Sequence, residues 1–288
     1  MNRRRWLAVG LSVLVIGNFG SCDQSPPRKF TPSRGLITID LAKEYEVEPG
    51  TSLSERLNEE IRMIAPKTSA DSDKLLFKDY QSAQAIWADN WTRNLNVTGV
   101  AWNTPQAGTL ITDRHVVMSK HYQHEIGATL VFHDADGAAT ERTIIAREAD
   151  PKTDMAIGRL NESVPASIAV YPLLEPGGKD YFMLVDTWML MTDNERKVLM
   201  FPVRAVAFAK DPNKAEIFMT ALNPANRLDK TYEEELISGD SGHPTFLLSH
   251  GQLILMSVNT HGGNGMKGPY LGGAVNQAWI QTVVQSMD

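Results

Sequence analysis

From about residue 95 onward the chain is built of short β-prone runs, each closed by turn residues. This texture limits the fold more than any other feature of the sequence. The runs are Val97 to Trp102, Thr109 to Thr112, Thr129 to Phe132, Thr143 to Ala146 and Met155 to Leu160. They continue through Tyr181 to Leu184, Val203 to Phe208, Glu216 to Met219, Thr245 to Leu248 and Leu253 to Val258. Asp134-Ala135-Asp136-Gly137 and His250-Gly251 stand between runs as hairpin turns. Many short strands at regular spacing predict an all-β barrel or sandwich.

The flanks differ. Leu36 to Ile39 is one strand-like run, and Leu53, Leu57, Ile61 and Ile64 recur at helical spacing. Lys67 to Lys74 is polar and reads as a loop. Ala278 to Val284 predicts a terminal helix, placed at 277–287. No internal repeat is visible. The expected order is a leader over 1–22, a tether and N-terminal extension over 23–84, and a main domain over 85–288.

Arg3, Arg4 and Arg5 precede a short apolar stretch from Trp6 to Gly17, as in an export signal. Phe19-Gly20-Ser21-Cys22 then resembles the lipobox of bacterial lipoproteins. That resemblance implies acylation of Cys22 and a membrane anchor, with the folded part periplasmic or extracellular. The alternative is an ordinary cleaved signal with an incidental cysteine. Cys22 is the single cysteine, which excludes an internal disulfide; its acylation would also remove a cysteine nucleophile and a thiolate metal site. The formal net charge is −6. The basic leader masks part of the acidity of the remainder. An acidic body argues against nucleic-acid partners, which need a basic face.

Gly239-Asp240-Ser241-Gly242-His243-Pro244 runs into the apolar strand Thr245 to Leu248. By itself this could be a surface turn, since Gly, Asp and Ser favour turns. His115 lies just past the β run Thr109 to Thr112, and Asp154 opens Met155-Ala156-Ile157. Gly-Asp-Ser-Gly before a strand, a histidine after a strand and an acid opening another, in the order His, Asp, Ser, resemble the trypsin-like serine proteases. The match covers about residues 85–287. It implies two packed antiparallel β-barrels, at about 85–165 and 170–276, with a C-terminal helix and a small N-terminal extension. It implies a serine endopeptidase acting on protein or peptide substrates without metal or organic cofactor. His115, Asp154 and Ser241 would form the triad, and the N–H groups of Gly239 and Ser241 the oxyanion hole.

The resemblance also places Glu235, Thr260 and His261 around a specificity pocket. Glu235 would favour basic side chains there, whereas Thr260 and His261 would favour acidic or amide ones; as a plain loop charge Glu235 would select nothing. His121 and His124 read as surface or loop histidines, and His133 to Gly137 as a polar hairpin turn. No activation cleavage site precedes Val97, where the sequence is Arg93-Asn94-Leu95-Asn96. The family's new amino terminus is therefore not expected to reach Asp240. Asp240 must find another donor, and the extension over 36–90 is one source. The competing readings are a catalytically weak trypsin-like fold used as a binding module, and a structural envelope lipoprotein.

Overall fold

A computed structural model describes residues 35–45, 52–66, 70–176, 184–207, 217–220, 232, 234–261 and 266–288. The leader, Cys22 and most of the tether lie outside the described residues, as do the expected strand at Tyr181 and the start of the one at Glu216. In chain order the elements are β1 (Thr38–Ile39), α1 (Leu41–Glu44), α2 (Leu53–Ile64), a 3-10 turn (Asp71–Lys74), β2 (Phe77–Gln81), β3 (Gln84–Trp87) and a second 3-10 turn (Trp91–Asn94). Then come β4 (Thr109–Leu110), β5 (His115–Ser119), β6 (Thr129–His133), β7 (Ala139–Ala149), β8 (Met155–Leu160) and β9 (Leu173–Leu174). The last group is β10 (Trp188–Thr192), β11 (Val198–Ala207), β12 (Ile217–Thr220), β13 (Pro244–Ser249), β14 (Gln252–Val258), β15 (Lys267–Pro269) and α3 (Ala274–Met287). Strands dominate, so the all-β class stands.

Two sheets carry the body. One has the order β4-β5-β8-β7-β6, the other β14-β13-β10-β11-β12-β15. Among the described residues neither is a closed barrel, which corrects the expectation of two barrels. The free edge of β6 shows why closure is not needed. Val131 O accepts from Trp102 N, while the Asn103 amide accepts from Val131 N and donates to Thr129 O. One peptide and one side chain thus satisfy the edge that another strand would otherwise cover. The expected strand Val97 to Trp102 is reduced to an isolated bridge between Val100 and Thr109.

The turn signals hold. His250 and Gly251 both have positive φ, 51° and 73°, as a two-residue hairpin between β13 and β14 requires. Gly137, at φ 82°, closes the hairpin between β6 and β7.

The extension packs onto the second sheet. Leu53 and Leu57 of α2 and Leu41 of α1 join Met189, Leu247 and Ile254 in one apolar cluster. Each such leucine contributes about 1.5–3 kcal/mol by burial. Ser52 and Glu55 form a capping box at the start of α2. Asn58, buried on the same helix, accepts from Trp188 N and donates to Asp186 O, so it fixes the start of β10. Tyr45 stacks on His250 and shares a hydrogen bond with Ser249. β1 pairs in parallel with β9. The β2–β3 hairpin spans the expected boundary at residue 84, and residues 33–288 form one compact unit.

Candidate active site

The register of the first sheet sets the site. Ser119, the last residue of β5, pairs with Met155, the first of β8. Asp154 and the pair Lys120-His121 therefore leave the sheet side by side. Lys120 N donates to Asp154 O at 3.1 Å, and its Nζ donates to Asp150 O and Thr153 O. His121 N donates to Asp154 Oδ1 at 2.8 Å, and His121 Nδ1 lies 2.5 Å from Asp154 Oδ2. A carboxylate accepts, so Nδ1 carries the ring proton. That leaves Nε2 as an acceptor, 2.9 Å from Ser241 Oγ. The His121 side chain is 47% exposed.

The structure thus joins Asp154 and Ser241 to His121, and the expectation for His115 is corrected. His115 opens β5 opposite Arg159, at the other end of the strand. Four steps along the strand separate it from Ser119, about 13 Å. It is 1% exposed. Thr112 Oγ1 accepts from the backbone N–H groups of Arg114 and His115, so it donates to His115 Nδ1 at 2.8 Å. Nε2 faces Asp288 at 3.7 Å. Burial holds this imidazole below its ordinary pKa, against the pull of Asp288. His115 ties the 112–115 turn together and holds no position near the serine.

The Ser241 turn is set by the second sheet. Pro244 pairs with Val258, and two further backbone bonds extend that ladder outward: Asn259 N to His243 O at 2.9 Å, and Gly242 N to Asn259 O at 2.7 Å. Buried Asn259 also donates its Nδ2 to Asp240 O. Gly239 has φ 111° and Gly242 φ 89°, conformations open to glycine. A Cβ on Gly242 would come within 3.2 Å of Ala107 O and 3.5 Å of Ser119 Oγ. The absent side chain lets the first sheet approach Ser241 closely enough for His121 to reach it. Among the described residues, no group accepts from the N–H of Gly239 or of Ser241.

His243 braces this turn from below. It is fully enclosed, and its Nε2 donates to Pro105 O at 3.1 Å. Nδ1 is then the acceptor for Thr192 Oγ1 at 3.2 Å. One ring thus links the loop beside the first sheet to β10. Burial pushes its pKa down to about 4.

Asp240 has found its donors. Asn194 N donates to Oδ1 at 3.1 Å and Ile237 N to Oδ2 at 2.7 Å. Burial raises its pKa, and these two N–H groups counter the rise. Among the described residues the extension gives the Asp240 carboxylate no hydrogen bond, contrary to the simplest form of the expectation. The neighbouring Asp193, also buried, accepts from Lys197 N at 2.8 Å. Burial, with added repulsion from Asp240, pushes its carboxyl up to about 7.

The expected pocket residues are only partly assembled. Thr260 and His261 are joined through Thr260 Oγ1 and His261 Nδ1 at 3.0 Å, and Thr260 donates to Lys267 O. Glu235 is exposed and has no hydrogen-bond or ion-pair partner among the described residues. The adjacent Glu234 is the engaged carboxylate.

His124, expected at the surface or in a loop, lies in a loop but is buried, with Nε2 directed at Gln106 O, and His133 is buried at the end of β6. Among the described residues, no cluster of three His, Cys, Asp or Glu side chains is arranged to hold a metal ion. Compared with known protein families and with curated proteins, the chain matches none.

Proposed function

We propose that this protein is a serine endopeptidase that works through His121, Asp154 and Ser241. The observation that carries the reading is the continuous line of hydrogen bonds from Asp154 through both ring nitrogens of His121 to Ser241 Oγ. Beside it stand two N–H groups, of Gly239 and Ser241, with no acceptor among the described residues.

The chemistry follows from the proton positions. His121 Nε2 takes the proton of Ser241 as Oγ attacks a peptide carbonyl. Asp154 holds the Nδ1–H tautomer and stabilises the imidazolium that forms. The carbonyl oxygen, now negative, is met by the two N–H groups. His121 then protonates the leaving amine, and the acyl-enzyme is hydrolysed by water through the same steps in reverse. No metal or organic cofactor has a part in this scheme.

The lipobox adds a location: acylated Cys22 would hold the domain on a membrane of the cell envelope. In described residues no helix is long and apolar enough to cross a bilayer. A Cys22→Ala variant should be released into the soluble fraction or stay unprocessed; unchanged membrane attachment of the processed protein would count against the lipobox.

The function is tested with a labelled fluorophosphonate. Wild-type protein should acquire one adduct, on the peptide containing Ser241, and Ser241→Ala none. It should also cleave an unfolded protein such as casein. Folded wild-type protein that takes no label at saturating probe and leaves casein intact overturns the reading in favour of a binding module.

A further inference from the structure

Lys74 ends the 3-10 turn of the extension, and its side chain is only 3% exposed. A buried ammonium is costly unless it is paired. Asp71 Oδ1 lies 3.0 Å from Nζ, and Glu234 Oε1 is in direct contact. Glu234 also accepts from Lys197 Nζ at 3.3 Å. Burial opposes both charges, yet the pairing prevails. Lys74 is held above its ordinary pKa and Glu234 below its own.

This ion pair stands where three segments meet. Leu75, next to Lys74, bridges Lys197 in antiparallel fashion, and Leu76 N donates to Arg196 O at 2.9 Å. The extension therefore grips the 193–197 turn between β10 and β11. That turn supplies Asn194 N to one oxygen of Asp240. Glu234 lies three residues before Ile237, whose N–H serves the other oxygen. Both donors that satisfy Asp240 thus hang from segments that Lys74 ties together. Asp240 sits between Gly239 and Ser241, so its placement sets the direction of their N–H groups.

We propose that Lys74 is a positioning residue: its ion pair with Glu234 holds the 193–197 turn and the 234–240 segment in the register that orients the nucleophile turn. The extension is then a built-in activator that makes cleavage near Val97 unnecessary. This rests on the serine-hydrolase reading above and deepens it.

The test uses the full chain and the fluorophosphonate. Lys74→Met should lower the maximal labelling rate of Ser241 by about 10- to 100-fold, below the 10²–10³ expected for complete loss of an oxyanion donor. The probe concentration that gives half of that rate should stay within about twofold, because binding groups are untouched. Lys74→Arg should recover most of the rate. Glu234→Gln should lose as much as Lys74→Met, and the two losses should not add, as expected for partners in one contact. Loss of one partner could unfold a single variant, Glu234→Gln above all, because it leaves the buried Lys74 with Asp71 alone. Lys74→Met/Glu234→Leu removes both charges, keeps an apolar contact and is expected to fold. Its labelling should still be slow at an unchanged melting temperature. Labelling of this folded double variant at the wild-type rate would overturn the proposal and leave Lys74 as a docking residue. Wild-type protein that takes no label would instead defeat the serine-hydrolase reading itself.

Discussion

His115 and His121 stand six residues apart, at opposite ends of the same strand, and the chain treats them in opposite ways. His115 begins β5, is enclosed, and gives one ring nitrogen to a local turn. His121 lies two residues past the end of β5, half in solvent, with both ring nitrogens engaged by side chains that come from other parts of the chain. A general base must reach a substrate and exchange its proton, so it belongs at the rim of a sheet. A histidine within the sheet is shielded, and burial holds it neutral. The same contrast separates His121 from buried His124, His133 and His243.

The sharpest break of this comparison is to exchange the fates of the two residues. His121→Ala should lower kcat/KM by about 10⁴- to 10⁶-fold at pH 8, as expected for the base of a triad. His115→Asn should leave kcat/KM within a few-fold and instead cost about 1–3 kcal/mol of stability, from lost packing and a disturbed Thr112 contact. Peptidase assays and urea unfolding of both variants decide the matter. If His115→Asn is inert and fully folded while His121→Ala is active, the assignment is reversed.

Asp154→Asn is the next largest effect. The amide can no longer accept from both His121 N and a protonated Nδ1 as the carboxylate does. It favours the wrong imidazole tautomer, with a loss of about 10⁴-fold expected at neutral pH. Asp150, four residues earlier, shapes the same loop through Thr153 Oγ1 and Lys152 N. Asp150→Asn should cost far less activity, which separates loop shape from charge. Assays of the two variants at equal protein folding, monitored by circular dichroism, provide the check.

Much of this site was legible in the sequence, and the error is instructive. Ser241 and Asp154 are announced by local runs, because a tight turn before a strand and an acid opening a buried strand are short-range features. The histidine that joins them depends on which residues face each other across two strands. Val116-Val117-Met118 is itself a β run, so His115 opens a second strand instead of hanging on the loop that follows the first. Pairing that run with Met155 to Leu160, which follows Asp154, would have placed His121 opposite the acid. The all-β class followed from turn chemistry and periodicity. Barrel closure did not, because edges such as that of β6 are satisfied by Asn103, whose role no local pattern reveals. Lys74 and Glu234 are 160 residues apart and look like ordinary surface charges in the sequence.

Gly239 offers a smaller perturbation of the serine side. It adopts φ 111°, and an added Cβ would collide with the Asn194 amide. Gly239→Ala should therefore turn its N–H away from the site. A loss of about 10²- to 10³-fold in kcat with little change in KM is expected, the size of one missing oxyanion donor. Gly251→Ala, at φ 73° in open space, strains a hairpin remote from the chemistry and should alter stability alone. A Gly239→Ala variant with wild-type kcat would remove Gly239 from the proposed oxyanion hole.

The smallest expected effect tests the buried side of the comparison through pH. His243 titrates near 4 in the folded protein, against an ordinary 6.5 in the unfolded chain. Between those values the unfolded state binds more protons, so this group makes stability rise with pH across that window. Its contribution is lost as acid is added from about pH 6.5 to 4, at up to about 1.4 kcal/mol per pH unit. Asp193 acts in the opposite sense. Its folded carboxyl is raised to about 7, so between 3.8 and 7 the native state binds more protons and stability falls as pH rises. The two slopes partly cancel in the wild type, which makes single variants more informative than the parent. Asp193→Asn keeps an oxygen for Lys197 N and removes the ionisation. It should stabilise the protein at pH 8, leave it unchanged near pH 3.5, and expose the full acid sensitivity of His243. His243→Gln, which can still donate toward Pro105 O, should flatten that sensitivity in the Asp193→Asn background. Urea unfolding at half-unit steps from pH 3.5 to 8 gives both slopes. If the double variant retains the acid slope of Asp193→Asn, the buried imidazole at the nucleophile turn is not the group that titrates.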